Sequence, residues 1–72
     1  MELTNEEKIA ILNQHIKNIV VNKYNIHVAI VAEEAANPVD QNKINALNNQ
    51  MSAEQSKYDA LMVEYSSLTE QA

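Results

Sequence analysis

His15 and His27 are the two imidazoles of a 72-residue chain that has no cysteine. On one helix they stand about 18 Å apart along the axis, so they do not share a metal ion within a chain. The reading of these residue types is a surface His15 and a His27 at an interface. Glu6-Glu7 and Glu33-Glu34 are adjacent acidic pairs. Neighbours on a helix point roughly 100° apart, so neither pair forms a carboxylate dyad for general acid–base work. Ser56, Ser66 and Ser67 have no imidazole placed to activate them. The expectation is therefore a protein with no catalytic residues, no metal and no cofactor, and not an enzyme.

Composition narrows the function classes further. Without Cys, disulfides and thiolate metal sites are excluded. Without Gly, phosphate-cradling loops and dinucleotide fingerprints lack their usual material. A many-stranded sandwich or barrel is disfavoured for the same reason. Net charge is −5, from ten acidic residues against five Lys and no Arg, so there is no basic footprint for nucleic acid. No run of about 20 apolar residues exists, so no membrane span is expected. The acidic opening Met1-Glu2-Leu3-Thr4-Asn5-Glu6-Glu7 is unlike a signal peptide, and a cytoplasmic location is expected.

What must position these side chains is a pair of long helices. Thr4 and Glu7 have capping-box spacing, and Glu6 and Glu7 place negative charge at the positive end of the dipole. The strongest punctuation is Asn37-Pro38-Val39-Asp40. The sequence predicts one helix over about 5–36, a turn over about 37–40 and a second helix over about 41–70. Asn37 is a candidate cap with Pro38 at the first helical position, and Asp40 is the alternative cap. A link of about two to four residues folds the helices back on each other. The fold class is all-α, an antiparallel two-helix hairpin of coiled-coil type in a single domain.

Two repeats spaced 3,4,3,4 carry that prediction. Ile9, Leu12, Ile16, Ile19, Lys23, Ile26, Ile30 and Glu33 form the first. Ile44, Leu47, Met51, Glu54, Tyr58, Leu61, Tyr65, Leu68 and Ala72 form the second. A period of about 3.5 is the mark of left-handed supercoiled helices. Folding the chain at the Asn37–Asp40 turn sets Ile30 opposite Leu47, Ile26 opposite Met51 and Ile19 opposite Tyr58. It likewise sets Ile16 opposite Leu61, Leu12 opposite Tyr65 and Ile9 opposite Leu68. Lys23 then faces Glu54, and the two charged intruders read either as a register pair or as side chains that snorkel out of the narrow seam. A rival reading makes a short β-hairpin around Asn22–Asn25, because Ile19–Val31 is rich in β-branched residues. It lacks a Gly for the turn, and the helical repeat runs through it.

A second stripe on the first helix, Val21, Tyr24, Val28, Val31 and Ala35, lies about 150° from the seam. A lone hairpin covers one stripe, so this one is expected to meet a partner. The simplest closed form is a homodimer making a four-helix bundle. The alternative is a small regulator that offers the apolar first helix to a groove on a host protein.

Leu3-Thr4-Asn5-Glu6-Glu7-Lys8-Ile9, Gln14-His15-Ile16-Lys17 and Asn22-Lys23-Tyr24-Asn25 are similar to segments of small proteins of marine T4-like cyanophages, and so is Ile44-Asn45-Ala46-Leu47-Asn48-Asn49-Gln50. The resemblance spans most of the chain. Those proteins are uncharacterised open reading frames, so it carries over no functional residue. It implies a phage accessory or structural protein in an infected host cell or a virion.

Overall fold

The computed structural model describes residues 2–70. Two α-helices, α1 (Asn5–Glu34) and α2 (Gln41–Glu70), each of 30 residues, pack along each other, and no strand occurs among the described residues. The protein is an all-α helical hairpin. The segment Ile19–Val31, for all its β-branched residues, lies wholly within α1. Helical tertiary packing overrides strand propensity there. Ala72, expected to close the seam, lies outside the described residues.

The start of α1 follows from its capping box. The Thr4 hydroxyl accepts from the Glu7 amide at 3.1 Å, and the Glu7 carboxylate accepts from the Thr4 amide at 2.9 Å. Two otherwise unpaired helix donors are satisfied reciprocally. The hydrogen bond from the Thr4 backbone, and then that of its side chain, hold the Glu7 carboxyl below the ordinary carboxylate range. A lowered folded-state value means the contribution is present above the unfolded carboxylate range and is lost as pH falls through the folded value. Thr4→Ala is expected to cost about 1 kcal/mol at neutral pH. Its deficit relative to the native chain should shrink on acidification; parallel thermal melts followed by circular dichroism at the two pH values measure this.

The hairpin turn departs from the expected one. α1 ends at Glu34 rather than Ala36, with Ala35 as its C-cap. The Ala35 amide bonds to the Val31 carbonyl and the Ala36 amide to that of Glu33, so the last turn tightens before the chain leaves the helix. Residues 35–40 form the link, longer than two to four residues. Asn37 and Pro38 sit inside this link, so Asn37 is not the cap of α2 and Pro38 is not its first residue. The cap is Asp40, whose Oδ1 accepts from the amides of Asn42 at 3.1 Å and Lys43 at 3.3 Å. The longer link leaves room for the chain to cross the roughly 8–10 Å between packed helix axes before α2 starts.

The seam residues Ile9, Leu12, Ile16, Ile26, Ile30, Leu47, Met51, Tyr58, Leu61 and Tyr65 are half-buried, while Ile19, Ile44 and Leu68 are buried. Among the described residues no side chain is fully enclosed. Two helices touch along a line and cannot surround a residue, so the core is a strip rather than a centre. The molecule measures 55 × 19 × 14 Å with a radius of gyration of 16.5 Å. A compact chain of this length has a radius of about 11 Å. Its accessible surface is 5417 Å², against about 4500 Å² for a compact monomer of the same mass. The hairpin leaves roughly 900 Å² more surface in water than its mass calls for.

Candidate functional site

The amide-rich faces pair their own side chains along each helix. Gln14 donates to Asn18 at 3.3 Å, Gln41 to Asn45 at 3.1 Å and Gln55 to Asp59 at 2.9 Å, each one turn along its helix. Such pairs stabilise a solvated helix face by a few tenths of a kcal/mol each, roughly 0.2–0.5. Ile11 and Val63 stand exposed singly among these polar side chains rather than as a stripe.

The outer face of α1 is different. Val21, Tyr24, Val28, Val31 and Ala35 are all exposed, with Tyr24 at 66% and Val28 at 48%. Val20 adds to the same side and is also exposed. The Tyr24 ring touches His27, with centroids 6.1 Å apart and planes tilted by 39°. That contact orients the one aromatic ring of the stripe and places His27 on its border. The stripe begins beyond the polar Lys17 and ends at the acidic Glu33-Glu34, where α1 carries no basic residue in its last turn. Its apolar positions are set by α1 being straight and continuous. At about 150° from the seam they point away from α2.

The expected register pair is not formed. Glu54 pairs with Lys57, one turn along α2, at 3.2 Å. Lys23 instead donates to Gln55 and lies over the Tyr58 ring, its ammonium 5.2 Å from the centroid. The reason lies in side-chain reach. Backbone periodicity places Lys23 opposite Glu54, but a long flexible cation selects among all acceptors near its tip. Gln55 and the face of Tyr58 are both available there, and the ring gains a cation–π contact. Gln55 also donates to Asp59, so it bridges the Lys23 cation to an anion. Periodicity does not point to Gln55, which sits one position off the seam. The signal was present as Asp59 one turn further on.

Glu54 is left poorly satisfied. Its side chain is 15% exposed, and its Oε2 is buried with no hydrogen-bond partner among the described residues. An orphaned buried acceptor costs about 1–3 kcal/mol. Glu54→Leu removes that cost and puts an apolar side chain in the seam. The melting temperature is expected to rise by about 4–8 °C for each kcal/mol recovered, read at fixed protein concentration. A fall would show that the carboxylate stabilises the seam.

A cleft of about 450 Å³ opens beside this carboxylate, lined by His15, Asn18, Asn22, Glu54 and Lys57 among others. It joins an imidazole, a carboxylate and an amine. Lys57 takes one oxygen of the Glu54 carboxylate, and no hydrogen bond joins the other to His15, so the carboxylate does not orient the imidazole as an acid–base partner. No group of three metal-ligating side chains occurs among the described residues. No helix among the described residues is long and apolar enough to cross a membrane. The exposed face of α1 is therefore the strongest candidate site. No family model, no curated protein and no solved structure matches the chain.

Proposed function

We propose that the protein is a non-enzymatic assembly module that self-associates through the outer face of α1. One observation carries this reading: Val21, Tyr24, Val28 and Val31 form a continuous apolar stripe that stands exposed beside a seam with just three buried side chains. Small chains commonly add a staple; this one has no Cys for a disulfide, and a second subunit is another such device. The surplus of roughly 900 Å² matches one side of a standard interface, about 800 Å² per partner.

A homodimer is the simplest assembly that covers the stripe, with the α2 helices outermost. The resemblance to small cyanophage proteins supports placing this module in a phage, as an accessory or structural protein acting in the cytoplasm of the infected cell or in the virion. Neither nucleic acid nor a cofactor enters this function. Co-purification tests the phage placement: antibody against the chain should detect it in purified particles for a structural role, or in infected-cell lysate alone for an accessory role. Its absence from infected cells would overturn the placement.

A further inference from the structure

The outer stripe has a symmetry that its composition hides. Lys17, Val21, Tyr24, Val28, Val31 and Ala35 are spaced 4,3,4,3,4, which reads the same in both directions about the level of Ile26. Turned end over end, the stripe superposes on itself. Val21 then meets Val31, Tyr24 meets Val28, and Lys17 meets Ala35. The first and fourth positions of a 3,4 repeat alternate across the contact, as antiparallel coiled coils require.

Charge selects the same arrangement. The end of α1 carries Glu33 and Glu34 and no basic residue, so its carboxylates add to the negative pole of the helix dipole. Within the hairpin nothing relieves Glu34: the last turn lacks a cation, and the sole ion pair among the described residues joins Lys57 to Glu54. The antiparallel register brings the partner's Lys17 beside Ala35 and Glu34, at both ends of the contact. A parallel pairing would stack Lys17 on Lys17 and Glu34 on Glu34, and would align the two helix dipoles. Shifting the antiparallel register by a heptad would leave part of the apolar stripe uncovered and Lys17 away from the acidic end.

The geometry points to a second copy of this chain as the occupant of the face, docked antiparallel through α1 with its two-fold axis at the level of Ile26. This rests on the self-association proposed above and specifies its orientation and register. The partner's Lys17 supplies the positive charge that the C-terminal end of α1 lacks.

The chain has no cysteine, so single replacements report without interference. Val21→Cys and Val31→Cys are prepared separately, and each alone and their equimolar mixture are oxidised mildly. In the proposed register each residue lies about 15 Å along the axis from its own copy, beyond the roughly 7 Å limit for a disulfide. A reducible dimer band is expected from the mixture and from neither variant alone. In a second arm, Lys17→Glu is expected to weaken the dimer about tenfold, and adding Glu34→Lys to restore it. Dimer bands from a single variant would overturn the orientation in favour of a parallel pair. Absence of cross-linking from samples that sediment as dimers would overturn the register. Monomers in sedimentation of the native chain would overturn the self-association itself, a result separable from the other two.

Discussion

Val28→Glu is expected to turn the proposed dimer into a monomer. Val28 sits beside the centre of the apolar stripe and is about half exposed in the isolated hairpin. Burying a Val side chain fully is worth about 1.5–3 kcal/mol, so half of that, in two copies, is about 1.5–3 kcal/mol of dimer stability. The substitution also sets two carboxylates into an apolar contact, and each must be desolvated or the contact abandoned. Together these raise the dissociation constant a hundredfold or more, since each 1.4 kcal/mol is about tenfold. Gel filtration with light scattering measures the change. The hairpin seam is untouched, because Val28 faces away from Ile19, Ile26 and Ile30. The variant is therefore expected to keep a helical far-ultraviolet spectrum in the cold and to melt at a lower, concentration-independent temperature.

Ile19→Ala has the opposite character: it attacks the hairpin rather than the assembly. Ile19 is the one buried residue of α1, while the two buried residues of α2, Ile44 and Leu68, lie near the helix ends. Ile19 alone therefore closes the middle of the seam. Removing a buried Ile side chain to Ala costs about 2–5 kcal/mol. The site is open to solvent on its flanks, where water can fill the space, so the lower half of that range is expected. Small domains of this size rarely exceed a total stability of about 3–5 kcal/mol, so the loss leaves the monomer marginal at room temperature. Circular dichroism at low concentration should show a markedly lowered melting temperature and part of the helical signal gone. Recovery at high concentration would show dimerisation pulling the hairpin back into its fold.

The hairpin was legible because its main signals are periodic or local. Ile9, Leu12, Ile16, Ile19, Ile26 and Ile30 share a face because helix geometry fixes where each Cβ points, and each of them is half-buried or buried. The capping box was legible because it needs just four consecutive residues, Thr4 to Glu7. Where the reading went astray, the deciding quantity lay outside periodicity. Asn37 has the side chain and the following proline of a helix start, yet Asp40 caps α2, because the link had to cross between two axes first. Lys23 stands opposite Glu54 by spacing, yet it ends on Gln55 and Tyr58, because spacing locates a backbone and not the tip of a long side chain. The orphaned Oε2 of Glu54 follows from that choice and has no sequence signature. The outer stripe of α1 was visible as a second repeat at about 150° from the seam, and its residues are exposed in the hairpin.

The central claim is that this exposed stripe meets a second copy of the same chain. Sedimentation equilibrium of the native protein over a wide concentration range, from about 1 to 500 μM, tests it most directly, since Kd values in this range are typical of modest interfaces. A mass that rises with concentration to a plateau of about 16 kDa, twice the 8.1 kDa chain, is the expected result. A constant mass of one chain throughout that range would contradict the account.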